Sequence, residues 1–222
     1  MKTFAMKWTE GNEKLEKTSG EMYKVIGFGI PADYNFILDG QNANTCPQAS
    51  ACRGVCYAKQ GRYTMGAVVN ARLHNLKCSM KPSFVQDTVH DLKRKGSYNV
   101  VRVHDSGDFY NQEYLDKWID IARLVPDKVF YAYTKSVGLD FSRKPDNFRI
   151  VQSVGGMMDE KIDYNRPHAR IFSSHDDRIA AGYVDGNVND IPAIEGVIRI
   201  GLVYHGVRKL TPAQEKYFSV IG

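Results

Sequence analysis

From Asn99 onward, apolar β-branched runs alternate with amphipathic stretches, and this alternation restricts the possible folds more than any other feature. Residues 99–104, 128–133, 148–154, 169–173 and 197–204 are short, apolar and bounded by turn residues, so they read as buried strands. An earlier run at 22–30 has the same character and is followed by Pro31 and Asp33. Between the strands, 111–125 places Leu115, Trp118, Ile119 and Ala122 on one helical face, and 176–181 predicts a short helix. Met65, Val69, Leu73, Leu76 and Met80 recur at helical spacing over 64–79. Pro82 then opens a helix striped by Val85, Val89 and Leu92 and stopped at Gly96. Near the end, Thr211, Pro212 and Gln214 form a capping-box start for a last helix.

Six strands with helices or long crossovers between them imply a parallel α/β sheet. A closed eight-unit barrel usually needs about 250 residues, so 222 residues predict a partial (β/α) barrel of about six units, mainly parallel. The chain carries no repeat, low-complexity segment or linker and is expected to form a single α/β domain over 1–222. Residues 1–20, polar and charged over 9–20, read as a surface arm, and residues 40–80 as a cysteine-bearing loop and helix after the first strand. A hydrophobic content of 43% with 11% aromatics excludes disorder. No run is long and apolar enough for a transmembrane helix or a secretory signal, so the chain is expected in a reducing cytoplasm and not at a membrane.

Against that background the cysteines stand out. Cys46, Cys52, Cys56 and Cys78 are the chain's four, and all fall in one stretch of its first half. The first three are spaced C-x5-C-x3-C. One loop can wrap such thiols around a compact centre, with Cys78 supplied from the helix beyond. On that helix Ala67, Ala71, His74 and Cys78 share a face, and the alanines leave room for a bulky group. Structural zinc sites favour paired C-x2–4-C knuckles or Cys/His mixtures, and neither is present. Three cysteines in a loop with a distant fourth is closer to iron–sulfur ligation, so a [4Fe–4S] cluster on Cys46, Cys52, Cys56 and Cys78 is expected. Small residues at Ala49, Ser50 and Gly54 let backbone amides approach its sulfides.

The run Cys46-Pro47-x4-Cys52-x3-Cys56-Tyr57-Ala58, with Val103-His104-Asp105-Ser106-Gly107-Asp108-Phe109 and Tyr131-Ala132-Tyr133-Thr134-Lys135-Ser136, resembles the phage-encoded gene-product-88 type of domain. It is more distantly similar to phage proteins related to radical S-adenosylmethionine enzymes. The resemblance covers about residues 44–136 and implies a viral iron–sulfur protein on a barrel-like α/β fold, acting in the host cytoplasm. By that resemblance, Cys46, Cys52 and Cys56 match the cysteines after the first barrel strand. Ser106-Gly107-Asp108 matches the motif that holds the methionine amine. The spacing departs from C-x3-C-x2-C, and a fourth ligand at Cys78 would close the iron that S-adenosylmethionine needs.

Polar residues gather where the strands end: His104, Asp105, Ser106, Gly107 and Asp108, then Thr134, Lys135 and Ser136, then Ser153, Gly155 and Gly156. Ser173, Ser174, His175 and Asp176 follow the next strand, and Tyr204 and His205 the last. In a barrel these ends converge on one mouth, a default ligand site. His104, Asp108, Lys135 and His175 are the candidates there: Asp108 for a ligand amine, Lys135 for a carboxylate or phosphate, His175 as an acid or base. Ser106, Gly107, Thr134 and Ser153 complete the expected pocket.

Three functions remain in view. The first is a four-thiolate [4Fe–4S] protein with a redox or electron-transfer role beside a small-molecule pocket, served by an electron-transfer partner. The second is a radical S-adenosylmethionine-like enzyme with three ligands and an open iron. The third is a zinc-stabilised nucleic-acid-binding module, which the net charge of +5 permits but does not require.

Overall fold

The computed structural model describes residues 5–50 and 52–204. In chain order the elements are α1 (Glu13–Thr18), β1 (Val25–Phe28), β2 (Asn35–Leu38), β3 (Gln41–Asn44), α2 (Cys52–Val55), α3 (Gly66–Ser79), α4 (Phe84–Arg94), β4 (Val100–Val103), α5 (Gln112–Leu124), β5 (Val129–Thr134), β6 (Phe148–Ser153), β7 (His168–Phe172), α6 (His175–Ala180), β8 (Val184–Asp185), α7 (Ile191–Ile194) and β9 (Arg199–Val203). Short 3-10 turns lie at Tyr57–Lys59, Gly61–Thr64 and Asp159–Lys161.

Seven strands form one sheet in the order β1-β4-β5-β6-β7-β9-β8, and every pairing in it is parallel. The sheet curls into a half-barrel, as the alternation predicts. All six anticipated strands are present. The structure adds β8, the helices α1 and α7, and an antiparallel hairpin of β2 and β3 with Phe36 opposite Ala43. The anticipated last helix, with Thr211, Pro212 and Gln214, lies outside the described residues, as does His205.

Each face of the sheet takes alternate residues, so each strand splits its side chains between two cores. Ile26, Phe28, Val101, Val103, Phe130 and Ala132 point to the outer face and meet Leu76, Phe84, Leu92, Leu115, Trp118 and Ala122 from α3, α4 and α5. Asn111 starts α5 by accepting the Tyr114 N–H through Oδ1 at 2.9 Å, the cap its side chain predicts. Val25, Val100, Tyr131, Val151, Ala169 and Ile200 point to the inner face and pack against Leu15 of α1 and Ala193 and Ile194 of α7.

The segment expected as a surface arm therefore includes part of this core. Asn12 caps α1 through the Leu15 N–H at 2.8 Å, and Leu15 and Thr18 are buried. Lys14 reaches Asp190 Oδ1 at 2.8 Å. Asp190 is fully buried, and it also takes Arg102 Nη1 at 2.7 Å and the Tyr131 hydroxyl at 2.9 Å. Burial works against its charge, but Arg102 and Lys14 outweigh that and hold the carboxyl below its ordinary value. A charged residue amid valines in β4 is thus the floor of the concave face.

The helix α3 departs from its expected stripe. Met65 and Val69 are exposed, while Arg72, Asn75, Leu76, Cys78 and Ser79 are buried. The reason is polar pairing: Arg72 meets Asp105, and the Asn75 amide donates to the carbonyls of Lys7 and Gly29, both at 2.9 Å.

Candidate functional site at the half-barrel mouth

The cysteine loop does not follow the first strand directly, because the β2–β3 hairpin intervenes. It then crosses the carboxyl ends of the central strands and is tied there by main chain. The Asp108 N–H donates to Thr45 O at 2.8 Å and the Met157 N–H to Gln48 O at 2.9 Å, while Ala49 bridges Gly156 in antiparallel fashion. Cys46, Cys52 and Cys56 are thereby set beside the polar strand ends.

The three thiols act on one another. Burial pushes Cys46 up to about 12, with the charges of Asp108, Cys56 and Cys52 adding to the rise. Burial also raises Cys56, again with Cys52 contributing. Cys46 and Cys56 therefore stay protonated until a cation replaces their protons, the behaviour of ligands that release protons on loading. The donor chemistry therefore fits a thiophilic metal or cluster. Among the described residues, however, no three His, Cys, Asp or Glu side chains already close on metal-ligand geometry.

Cys78 sits elsewhere. It is 2% exposed, belongs to the outer core, and lies 3.4 Å from His74 Nε2. Its charged neighbours are Lys81, Asp87 and Asp91 rather than the loop thiols. The shared face of Ala67, Ala71, His74 and Cys78 therefore does not deliver a fourth thiol to the other three. His74 instead reaches Ala5 O at 3.0 Å.

Asp108 and Lys135 are brought together under the loop. Asp108 Oδ1 accepts from Thr134 Oγ1 at 2.6 Å and from the Phe109 N–H at 2.7 Å, and Oδ2 accepts from the Lys135 N–H at 2.9 Å. Burial nonetheless carries its carboxyl up to about 6. Lys135 Nζ donates to Ser153 Oγ at 3.0 Å and to Val154 O at 2.7 Å. Burial lowers its pKa, against the opposing pull of Cys52, Asp159, Asp108 and Cys46. Thr134, Lys135 and Ser153 thus join the loop thiols and Asp108 in one polar cluster.

Ser106 and Gly107 shape the turn beneath it. Ser106 Oγ donates to Ile30 O at 2.8 Å. Gly107 has φ +85°, and a Cβ there would lie 2.3 Å from Ile30 Cγ1. Gly107→Ala should therefore cost about 1–3 kcal/mol through overpacking and left-handed strain, read as a lower midpoint in urea.

Two candidates lie apart from the cluster. His104 is buried in an aromatic cage of Phe28, Phe109, Tyr114 and Trp118, with Nε2 2.9 Å from the Tyr114 hydroxyl. Burial, helped by the Arg72 charge, drives its pKa down to about 3, so the ring is neutral. His175 opens α6 with its side chain exposed, 3.9 Å from Asp185.

Sequence reasoning named Asp105 among the strand-end polar groups without giving it a role, and missed Arg72 and Gly29, which brace the mouth with it. Asp105 binds Arg72 Nη2 at 2.5 Å inside the concave face, and its carbonyl accepts the Tyr57 hydroxyl at 2.7 Å. Only glycine fits at Gly29 beside that pair, since a Cβ would stand 2.0 Å from Asp105 Oδ1. Asp33 was likewise passed over, although its φ of +47° places it in a tight turn. The Asp39-Gly40 dipeptide, a strong hairpin signal after Asn35–Leu38, was legible and identifies the β2–β3 turn.

No helix among the described residues is long and apolar enough to cross a membrane. No solved structure matches the chain. The curated Gene 88 protein of Mycobacterium phage L5 is 28% identical over 149 residues, 56% of this chain and 59% of that protein. The chain thus spans under two thirds of the length of the phage relative it matches. The family model described as gene product 88 matches residues 6–211, which takes in the cysteine loop, the half-barrel and the whole mouth. The chain belongs to the gene product 88 family.

Proposed function

We propose that this chain is an iron–sulfur protein in which Cys46, Cys52 and Cys56 hold a [4Fe–4S] cluster at the half-barrel mouth, with redox chemistry serving a small molecule bound on the concave side. The observation that carries this reading is the loop itself. Three cysteines, of which burial raises Cys46 and Cys56, are fastened over the carboxyl ends of β4, β5 and β6. Strand carboxyl ends are where barrels bind ligands. Asp108, Thr134, Lys135 and Ser153 supply polar groups beside the thiols. When bound, such a cluster supplies one-electron transfer. This chain's contribution would be to bind it and to set Lys135 near its ligands.

Cys78 packs in the outer core, away from the loop thiols, which favours three protein ligands over four. An open iron is the arrangement that the resemblance to S-adenosylmethionine enzymes implies, so this version stands ahead of the closed, four-thiolate one.

Anaerobic purification with iron and sulfide analysis tests the reading. Native protein should be brown and carry both elements. Cys46→Ala, Cys52→Ala and Cys56→Ala should each lose them, and Cys78→Ala should keep them. A cluster that vanishes equally in Cys78→Ala would restore four-thiolate ligation. Colourless protein holding one zinc would sink the iron–sulfur reading in favour of a zinc-stabilised module, whose nucleic-acid binding would weaken with salt. A spectral change on adding S-adenosylmethionine to native protein would mark the open iron.

A further inference from the structure

Asp33 is tied to the cysteine loop through both its backbone and its side chain. Its N–H donates to Cys46 Sγ at 3.3 Å. Its carboxylate takes Arg53 Nη1 on Oδ1 at 2.7 Å and Lys59 Nζ on Oδ2 at 2.5 Å. Arg53 directly follows Cys52, and Lys59 stands three residues after Cys56. The Asn44 amide also donates to Oδ1 at 3.2 Å, and Asn44 Oδ1 accepts the Cys46 N–H at 2.7 Å. Arg53 reaches back as well, from Nε to Ala49 O at 2.9 Å and from Nη2 to Cys46 O at 3.4 Å. One side chain therefore touches the chain on both sides of every loop cysteine.

We infer that Asp33 is a positioning residue that holds the segments bearing Cys46, Cys52 and Cys56 in one arrangement, so that the loop takes up its metal or cluster without first paying to order itself. The inference rests on the proposed three-thiolate site. Its physical basis is the cost of bringing three thiols together: each segment that stays free must be fixed when the metal arrives, and that entropy is subtracted from affinity. Side chains that orient metal ligands typically change affinity about 10- to 100-fold when removed. Asp33 suits such a role because its left-handed backbone, at φ +47°, turns the chain so that its amide and its carboxylate serve different parts of the loop. None of these contacts requires Asp33 to touch the metal.

The test is an anaerobic titration of the reduced protein with cobalt(II), read by the thiolate-to-cobalt charge-transfer band, with thermal melting in parallel. Asp33→Asn keeps the size, the backbone amide and a residue tolerant of positive φ, and removes only the charge that gathers Arg53 and Lys59. Native protein should bind one cobalt, and Asp33→Asn should bind it about 10- to 100-fold more weakly with the metal-free melting midpoint unchanged. Arg53→Met should show the same direction, and the double variant should lose less than the sum of the two, because they share the Asp33–Arg53 contact.

Equal cobalt affinity in native and Asp33→Asn protein overturns the inference and leaves the thiolate site standing. Native protein that shows no thiolate band overturns the site and the inference with it. Should Asp33→Asn melt early, the exposed Arg53→Met decides: unchanged affinity there also overturns the inference.

Discussion

Asp190→Ala should unfold at much lower urea than native protein, with a loss of about 3–5 kcal/mol, the cost of stranding a buried charge. Asp190 is fully buried and carries Arg102, Lys14 and two tyrosine hydroxyls, those of Tyr131 and Tyr133. Removing it leaves the Arg102 guanidinium inside the concave face without its hydrogen-bonded counter-charge. Replacing both partners by apolar residues of similar volume, as in Asp190→Leu with Arg102→Met, should cost less than Asp190→Ala alone. A double replacement that is worse than the single one would show that the pair is a net source of stability. The pH response has a definite sign. The folded carboxyl is held below its ordinary 3.8, so its contribution is present above that value and is lost as pH falls through the lower folded one.

His104 should make the native fold acid-sensitive over a higher range. Its pKa falls from an ordinary 6.5 to about 3 on burial. Between those values the unfolded chain binds a proton that the folded chain refuses, so stability rises with pH there and is lost as pH drops below 6.5. The loss is about 2 kcal/mol at pH 5 and approaches about 5 kcal/mol near pH 3. Asp108 works in the opposite sense: its folded pKa of about 6 lies above 3.8, so acid relieves a penalty of about 3 kcal/mol across that window. The two partly cancel in native protein. His104→Phe removes only the first, so urea midpoints for native and variant should differ in pH slope below 6.5, native being the steeper loser. Parallel curves would mean that the imidazole gains a proton without unfolding.

The strands and α5 were legible because local pattern and tertiary role agree in them, whereas α3 buries a polar face that its apolar spacing does not show. Residues 148–154 carry Phe148, Ile150, Val151 and Val154, and the sheet takes them as β6 (Phe148–Ser153); residues 111–125 carry one apolar face, and α5 buries it under the sheet. The mouth was legible in part, since strand order alone puts Asp108, Thr134, Lys135 and Ser153 at neighbouring strand ends. What escaped depends on partners far along the chain. Arg102 and Asp190 meet across 88 positions, and nothing local to either predicts the other. The same holds for Leu15, one apolar residue in a charged segment, whose burial is decided by α1 docking on the inner face. His104 reads as a strand-end polar group, but its ring turns to the outer core, where four aromatic side chains surround it. The place of Cys78 in the outer core escaped for a related reason: helical spacing places residues on a face without saying which neighbour that face will meet.

Thr9 stands against the outer side of β1, exchanging main-chain hydrogen bonds with Gly27, each at 2.8 Å. At the other end, the sheet closes on β8, a strand of only two residues. An open half-barrel would ordinarily present two unpaired strand borders, each a template on which a second chain can add β-structure. Here one border is occupied by the chain's own leading segment and the other is too short to seed a ladder. Shortening the chain past Thr9 would therefore do more than remove a few contacts: it would bare β1 and turn a self-limited sheet into one that can grow.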